Sequence, residues 1–278
     1  MFSFFRKYIT YQKDKSFVQK QAFERLGRKI NWKSPQTYND YVNLIKIDPK
    51  SERLWIYVDK WEVRKFVKKK VGGGILNKIY DVYNNVDEIQ LDKLPNKFVL
   101  KATHGSGWNI ICKDKKNLNW RRVKAKLERW LETNYYDLYK ERMYRQISPQ
   151  IICEKYLKDK NRELRDYKFW CWYGNPKFVQ VDINRFTKNM RRNFYDTSWN
   201  KLPFSKLYTR TTKTIKQPKN FEKMIKIVED LSANFTHVLI DLYNVNGKIY
   251  FGEITFIPGS GLNSFKPDKY NYLIGQYF

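Results

Sequence analysis

Two carboxylates on a predicted hairpin are the side chains of this sequence best placed for chemistry. Asp241 and Glu253 lie in two apolar runs separated by Asn246-Gly247, the dipeptide most favoured in a two-residue hairpin turn. Folding at that turn brings the two carboxylates roughly opposite each other. Because an isolated carboxylate is costly to bury, the pair predicts a shared cation or a basic partner. Two edge-strand charges that face water are the alternative.

A glycine-rich turn follows a predicted strand that ends at Lys101, and its residues are His104, Gly105, Ser106 and Gly107. Glycines let backbone N–H groups approach phosphate oxygens, and a lysine beside them supplies positive charge. The G-x-x-x-x-G-K-[ST] order of a Walker A loop is absent. The turn therefore indicates a phosphate cradle or a turn that uses glycine for conformational reasons alone.

A third segment, Glu154-Lys155-Tyr156-Leu157, closes a predicted buried strand. Such a strand end can offer backbone groups to the edge of an adenine ring, although by itself it is only a strand end. Together with lysines near a glycine loop and carboxylates on a hairpin, it would complete a site for a nucleoside triphosphate with Mg²⁺, an ion that prefers carboxylates and substrate phosphates.

The elements that must position these residues are of mixed type. Helical periodicity covers residues 38–47, 57–71, 120–131 and 221–231, with Asn119 as a cap and Gly72 as a stop. The predicted strands lie mostly in antiparallel hairpins, so the fold class is α+β. Residues 1–50 are expected to be basic and partly irregular within an N-terminal helical region, because Phe17, Phe23, Leu26 and Ile30 are apolar at helix-like spacing. Residues 188–219 are expected to form a loop over a site. We expect three segments: 1–95, 96–157 and 158–278.

The composition limits the class of protein. Lys and Arg number 55 against 28 Asp and Glu, a formal charge of +27 that favours polyanionic partners. Aromatic residues make up 17%, which excludes a disordered chain. Cys112, Cys153 and Cys171 lie in apolar runs and are expected to be buried free thiols, which suits the cytoplasm. No signal peptide or membrane span is expected, but an amphipathic N-terminus could contact an anionic membrane face.

Three phrases of the sequence carry a family resemblance: FVLKATHGSG, DYKFWCWYGNPK and YFGEITFIPGSG. In combination they resemble the TupA-like ATP-grasp family from about residue 50 onward, and the local motifs are similar to those of D-alanine–D-alanine ligase. The resemblance implies an ATP-grasp fold, in which the nucleotide is held between two mixed α/β subdomains with antiparallel sheets. It also implies ATP and Mg²⁺ as cofactors.

The resemblance assigns a role to each position that matches the family's motifs. The implied ATP-binding residues are Lys60, Lys101, His104, Gly105, Ser106, Gly107, Glu154, Lys155 and Leu157, the last two acting through backbone groups. The implied Mg²⁺ ligands are Asp241, Glu253 and Thr255, the last standing where the wider superfamily usually has Asn. The phosphate clamp would be completed by Lys168 or by Lys201, and the spacing leaves both open.

One position departs from the family's pattern. Leu239 stands two residues before Asp241, where the family and the D-alanine ligases usually carry an Arg that stabilises the anionic transition state. Loss of one such donor costs about two to three orders of magnitude in rate. Either a basic side chain such as Arg185, Arg191 or Arg192 compensates, or the chemistry differs, or catalysis is impaired.

The resemblance implies a carboxylate–amine ligase that acts through an acylphosphate. TupA-like proteins are associated with bacterial surface-polymer loci, so the expected substrate is a uronic-acid-type glycan precursor, free or lipid-linked, that receives an amino acid or amine. A glycosyltransferase is the alternative within the family, although the sequence has no Asp-x-Asp sugar-nucleotide signature. A glycan kinase and a non-catalytic polyanion-binding module stay open as well, and nucleic acid is not the expected partner.

Overall fold

The computed structural model describes residues 2–159, 164–184 and 187–278, with side chains from Tyr8 onward. The chain divides into two compact units, one formed by residues 52–158 and the other by residues 1–51 together with residues 159–278. This division differs from the three expected segments, because residues 52–95 belong with 96–158 and residues 1–51 belong with the C-terminal segment.

The elements in chain order are as follows. The α-helices are α1 (Phe2–Leu26), α2 (Tyr38–Ile47), α3 (Trp55–Val58), α4 (Val63–Val71), α5 (Trp120–Glu132), α6 (Tyr135–Tyr139), α7 (Phe221–Ser232) and α8 (Lys269–Gly275). The strands are β1 (Ile79–Tyr83), β2 (Phe98–Ala102), β3 (Asn109–Cys112), β4 (Ile151–Lys155), β5 (Asp166–Trp172), β6 (Asn175–Ile183), β7 (Arg191–Tyr195), β8 (Ser205–Lys206), β9 (Val238–Val245), β10 (Lys248–Thr255) and β11 (Phe265–Lys266).

The unit of residues 52–158 is built on a four-stranded antiparallel sheet in the order β1-β4-β2-β3. Helix α5 packs on this sheet through Val123, Leu127 and Trp130, because these positions fall on one face of the helix. Two predicted boundary signals are confirmed here. The side chain of Asn119 accepts a hydrogen bond from the backbone N–H of Arg122 at the start of α5, and Gly72, with a φ of 81°, ends α4.

The other unit is built on a five-stranded antiparallel sheet in the order β10-β9-β5-β6-β7. Helix α7 packs against β5, β6 and β9, and the predicted helix over residues 38–47 is confirmed as α2. Thr37 begins α2 with a capping box that it forms with Asp40. Aromatic side chains fill much of this core: Trp170, Trp172, Phe178, Phe194 and Phe265. The α+β class with antiparallel sheets is confirmed.

Two expectations about local structure need correction. The helical character of the N-terminal region is confirmed, but residues 2–26 form one continuous helix with no irregular part, in which Val18 and Ala22 are buried at helical spacing. Phe23, which the periodicity placed on the buried face, is 61% exposed. The segment 188–219 is not simply a loop, because β7 joins the edge of the five-stranded sheet and β8 pairs with β11.

The cysteines are buried and free, as the sequence predicts. Burial raises the pKa of the Cys153 and Cys171 thiols to about 12, so they are protonated and unreactive at neutral pH. Over the described part of the chain, no helix has the length and apolar character needed to cross a bilayer.

Candidate functional site

The turn between β9 and β10 forms at Asn246-Gly247, as this dipeptide predicts. Val245 pairs with Lys248, and Asn246 and Gly247 between them have φ angles of 54° and 90°. Two consecutive residues with positive φ define the type I′ turn, whose twist matches that of the flanking strands. Gly247 also donates its backbone N–H to the side-chain oxygen of Asn244, which further fixes the turn.

A bulge in this hairpin decides where Glu253 points. The pairing of β9 and β10 is regular from the turn to Phe251, and its register shifts between Phe251 and Ile254. Without that shift, Gly252 would stand opposite Asp241, and Glu253 would point to the other face of the sheet. The bulge turns Glu253 to the face of Asp241. Alternation in the sequence alone could not reveal this shift.

Lys168 lies at the centre of the carboxylates that the hairpin presents. It is the direct cross-strand partner of Asp241 between β5 and β9. Its ammonium donates a hydrogen bond to Oδ2 of Asp241, and it lies 3.2 Å from Oδ2 of Asp166 and 3.9 Å from Oε1 of Glu253. The side chains of Asp166 and Asp241 are almost fully buried, whereas 32% of the Glu253 side chain is exposed. Buried carboxylates need such a counter-charge.

The oxygens of this cluster fit a magnesium ion that also contacts phosphates. Within the described ranges, no group of three or more His, Cys, Asp and Glu side chains has the arrangement of a metal site. Mg²⁺, however, commonly takes only one or two carboxylates and completes its shell with water and phosphate oxygens. Oδ1 of Asp241 is buried and has no hydrogen-bond partner among the described residues. Asp241 therefore keeps one ligand oxygen that the fold does not use.

Thr255 and Leu239 lie side by side at the end of the hairpin. They are paired between β10 and β9. Leu239 is 1% exposed, so its side chain is part of the core, whereas Thr255 is partly exposed. Leu239 brings no charge to this position, and the cation beside Asp241 is the ammonium of Lys168.

In the unit of residues 52–158, Lys60 is tied to the glycine-rich turn. Its backbone N–H donates to the carbonyl of Thr103 at 3.2 Å, and its ammonium donates to the carbonyl of Gly105. The carboxylate of Asp59 accepts the backbone N–H groups of Trp61 and Glu62 at 2.7 and 2.9 Å, which holds the preceding turn. Lys60 and the loop are thus brought together, although 45 positions separate Lys60 from Gly105.

The turn itself has a buried side and an exposed side. His104 is 2% exposed, and one of its ring nitrogens, Nε2, lies 2.8 Å from the carbonyl oxygen of Trp130. Burial lowers the pKa of His104, so the ring is neutral at neutral pH. Ser106 and Gly107 are exposed. The buried ring of His104 therefore fixes the position of the loop through its contact with Trp130. Of this residue, only the backbone forms part of the loop.

Lys101 and Glu154 form an ion pair across neighbouring strands β2 and β4. The ammonium and Oε2 of the carboxylate are 2.7 Å apart, and both side chains are mostly buried. Arg64 adds positive charge near Glu154, and it donates a hydrogen bond to the backbone carbonyl of Asn77 at 2.7 Å. The sequence placed Lys101 and Glu154 in separate motifs, and the sheet makes them one charged cluster.

The backbone of Lys155 is already engaged by the protein. Its N–H donates to the carbonyl of Lys78 at 2.9 Å, and its carbonyl accepts the side-chain amide of Asn77 at 2.8 Å. A carbonyl oxygen has a second lone pair, so Lys155 keeps one acceptor position for an adenine amino group. Leu157 follows in irregular, partly exposed chain. Asn77 is a neighbour of this strand end that sequence reasoning missed.

The arginines expected to compensate for Leu239, and Lys201 of the expected phosphate clamp, differ in the contacts that they make. The guanidinium of Arg192 forms a two-point ion pair with Asp182, with N···O distances of 2.6 and 2.8 Å. Lys201 donates its ammonium to the carbonyl of Thr211, and burial lowers its pKa. Arg191 donates to the carbonyl of Met190 at 3.0 Å. Arg185 lies outside the described residues.

Helix α2 supplies contacts that sequence reasoning missed. Asn39, Asn43 and Lys46 lie on one face of the helix and donate to the backbone of the loop that follows Thr255. In this loop, Gly259, Ser260 and Gly261 all have positive φ. The polar residues at i, i+4 and i+7 of a buried helix face were the available signal.

Comparison with known proteins identifies the family of this chain. Residues 40–278 match the family described as TupA-like ATPgrasp, and the chain belongs to this family. ATP-grasp enzymes bind ATP and Mg²⁺. None of the curated proteins that were compared matches this chain significantly.

Three solved structures are among those similar to this chain. The D-alanine–D-alanine ligase of Helicobacter pylori is 14% identical, with a TM-score of 0.43, and the match covers 84% of this chain and 61% of the ligase. The L-amino acid ligase of Bacillus licheniformis is 13% identical, with a TM-score of 0.44 and coverage of 74% and 42%. The ATP-grasp ligase PsnB is 7% identical, with a TM-score of 0.43 and coverage of 77% and 60%. This chain thus spans less than two thirds of each of these proteins.

Proposed function

We propose that this protein is an ATP-dependent carboxylate–amine ligase. The observation that carries the proposal is the cluster of Asp241, Glu253 and Lys168 on one face of the five-stranded sheet, in a chain of the ATP-grasp family. Two carboxylates beside a lysine are the groups that a metal-bound triphosphate requires.

We assign the residues to two roles. Asp241, Glu253 and Thr255 hold Mg²⁺, which neutralises phosphate charge when it is bound. The nucleotide is bound by a second set of residues: Lys60, Lys101, His104, Gly105, Ser106, Gly107, Glu154, Lys155 and Leu157. Lys60 and Lys101 contribute charge, and the loop contributes backbone N–H groups. Glu154 and the backbone groups of Lys155 and Leu157 select adenine.

The reaction joins a carboxylate to an amine in two steps. A carboxylate oxygen of one substrate attacks the γ-phosphorus of ATP, the bond to the bridging oxygen breaks, and ADP leaves. The amine of the second substrate then attacks the acylphosphate carbon, phosphate leaves, and the new amide nitrogen loses a proton. The protein positions the reactants and neutralises developing negative charge. Lys168 or Lys201 completes the phosphate clamp.

The substrate that we propose is an acidic glycan precursor, free or lipid-linked, that receives an amino acid or amine in the cytoplasm. A formal charge of +27 supports a polyanionic substrate and a peripheral contact with an anionic membrane face. Ile9 and Tyr8, both exposed near the start of α1, support that contact. A glycosyltransferase or a glycan kinase would also bind an acidic glycan through the positive charge of the protein.

A non-catalytic polyanion-binding module is the second candidate, and one observation favours it. Leu239 replaces the family's arginine, and Arg192 is held by Asp182 and so is poorly placed to compensate. Lys168 remains as a cation beside the metal ligands. Polyanion binding without catalysis would weaken steeply with salt and would not respond to ATP or Mg²⁺.

Thermal stability with ATP and Mg²⁺ separates these candidates. Ligand binding to the native state stabilises it by RT ln(1 + [L]/Kd), about 2.7 kcal/mol at a hundredfold excess over Kd. We expect a Mg²⁺-dependent rise in Tm that Asp241→Asn diminishes and that Glu222→Gln, an exposed change on α7, leaves intact. An unchanged Tm of the unmodified protein at millimolar ATP and Mg²⁺ would favour the binding module.

Product analysis then tests the reaction. The protein is incubated with ATP, Mg²⁺, a uronic-acid oligosaccharide and a set of amino acids. Release of ADP and phosphate with an amide product supports the ligase. ADP release with a phosphorylated glycan identifies a kinase, and glycan extension that requires a sugar nucleotide identifies a glycosyltransferase.

A further inference from the structure

The ammonium of Lys168 lies in the space between the two proposed metal-binding carboxylates. It donates to Oδ2 of Asp241 and lies 3.9 Å from Oε1 of Glu253 and 3.2 Å from Oδ2 of Asp166. Only 14% of the Lys168 side chain is exposed. This lysine is held by the sheet as well, because its neighbours across the strands are Asp241 on β9 and Gln180 on β6.

The negative charges of the surrounding carboxylates explain why a lysine lies at the centre of this cluster. Three carboxylates lie within 4 Å of one ammonium, and those of Asp166 and Asp241 are nearly inaccessible to water. A buried carboxylate without a counter-charge is strongly destabilising. Lys168 therefore stabilises the folded site in the absence of a metal ion.

At this position the ammonium of Lys168 and a divalent metal ion would compete for the carboxylates of Asp241 and Glu253. A divalent ion bound by Asp241 and Glu253 would lie about 2.0–2.1 Å from a ligand oxygen of each side chain. The ammonium already takes Oδ2 of Asp241 and lies 3.9 Å from Oε1 of Glu253, so a metal ion bound through Oδ1 of Asp241 and through Glu253 would lie close to it. A second cation placed beside it would meet strong repulsion in a partly buried site. Metal binding therefore requires the ammonium to move toward other acceptors.

Nucleotide phosphates are such acceptors. They offer a lysine several anionic oxygens and restore the charge balance that the metal would otherwise upset. We propose that Lys168 is an exchangeable counter-ion of the Asp241–Glu253 pair, so that divalent metal binds this protein together with nucleotide and not alone. This inference rests on the proposed nucleotide site and adds the order of binding, together with a role for Lys168 before catalysis.

The direct test measures Mn²⁺ binding by electron paramagnetic resonance, without nucleotide and with a non-hydrolysable ATP analogue. The unmodified protein is expected to bind Mn²⁺ at least tenfold more tightly with the analogue than alone. Lys168→Met is expected to bind Mn²⁺ without nucleotide at least tenfold more tightly than the unmodified protein. Lys177→Met, which removes an exposed lysine from β6 of the same sheet, should leave both affinities unchanged.

Two further measurements keep the test decisive if Lys168→Met folds poorly. Lys168→Arg keeps the charge and should suppress nucleotide-free Mn²⁺ binding as the native lysine does. Adding Mn²⁺ alone should raise the Tm of Lys168→Met more than that of the unmodified protein. Tight Mn²⁺ binding to the unmodified protein without nucleotide would overturn the inference. The absence of any effect of nucleotide on stability, in all variants, would instead overturn the proposed nucleotide site.

Discussion

Gly252 lies directly against Asp241 on the neighbouring strand. A β-carbon at residue 252 would stand 3.1 Å from the carbonyl oxygen of Asp241, 3.2 Å from its Cβ and 3.2 Å from the ring of Tyr243. The bulge that turns Glu253 toward Asp241 occurs at this glycine. The close approach of the two strands and the direction of Glu253 thus depend on the same residue.

Gly252→Ala is therefore expected to disturb both stability and the carboxylate pair. Its methyl group meets backbone and side-chain atoms that have little room to move, and such overpacking costs about 1–3 kcal/mol. We expect a lower free energy of unfolding in urea and a smaller stabilisation by ATP with Mg²⁺. Gly74→Ala is the control, since no atom lies within 4 Å of its β-carbon. Equal stability of the two variants would contradict this account.

Local patterns predict much of this structure. Asn246-Gly247, the cap at Asn119 and the stop at Gly72 each act through neighbouring backbone, so each could be read from a few residues. The full length of α1 was not predicted, because residues 8–13 include no buried position that would produce a periodic signal. The strand at 191–195 was missed because its arginines and turn-rich surroundings resemble a loop.

Local sequence patterns also predict the candidate site only in part. The sequence predicts that the hairpin pairs Asp241 with Glu253 and indicates Lys168 separately. The bulge that turns Glu253 to the face of Asp241, and the β5–β9 register that places Lys168 beside them, cannot be read from local patterns. The engagement of Arg192 by Asp182 is equally invisible to local patterns, although it removes one expected compensating arginine.

Helix α2 should be required for the loop after the hairpin. The amide of Asn39 donates to the carbonyls of Gly261 and Asn263 at 2.8 and 3.1 Å, and the residue is fully buried. Asn39→Leu removes both hydrogen bonds, although Asn43 still donates to the carbonyl of Gly261 and Lys206 to that of Asn263. Because a typical hydrogen bond contributes about 0.5–1.5 kcal/mol, we expect the free energy of urea unfolding to fall by about 1–3 kcal/mol. Asn175→Leu, at an exposed position, should change it little.

The buried ring of His237 predicts a pH dependence of stability. Its Nδ1 lies 3.1 Å from the carbonyl oxygen of Cys171, and its Nε2 lies 3.2 Å from the hydroxyl of Tyr38. Burial, reinforced by the charge of Lys206 and opposed by the Cys171 carbonyl, lowers the pKa of His237 to about 3. The unfolded chain binds a proton near pH 6.5, so the folded state loses stability as pH falls from about 6.5 toward 3.

The expected slope is up to about 1.4 kcal/mol per pH unit from this one histidine. Urea unfolding of the unmodified protein and of His237→Gln, compared between pH 6.5 and 5, measures it. The variant should have the shallower pH dependence, even if it is less stable throughout. His104, whose pKa is also lowered by burial, is present in both proteins and cancels in the comparison. Parallel curves would show that His237 is not the group responsible.

Two glycines of the glycine-rich turn are needed for different reasons, and alanine substitutions can separate them. Gly105 is required by packing, and Gly107 by its backbone conformation. A β-carbon at Gly105 would stand 2.6 Å from the ring of Trp108, which is itself stacked on Trp130 at 6.0 Å and lies edge-on to Tyr135. Gly105→Ala must therefore displace the indole or the loop, whereas Gly107→Ala meets no atom within 4 Å and only strains a φ of 74°.

Gly105→Ala should accordingly change the intrinsic tryptophan fluorescence and weaken ATP binding in the presence of Mg²⁺ by about tenfold or more, equivalent to about 1.4 kcal/mol. Gly107→Ala should lose about 1–2 kcal/mol of stability, the usual cost of a left-handed conformation for a residue with a side chain, and keep the fluorescence spectrum. Titration of both variants with a non-hydrolysable ATP analogue measures the affinities. If Gly105→Ala binds the analogue as tightly as the unmodified protein, the contact between the turn and Trp108 does not position the phosphate-binding loop.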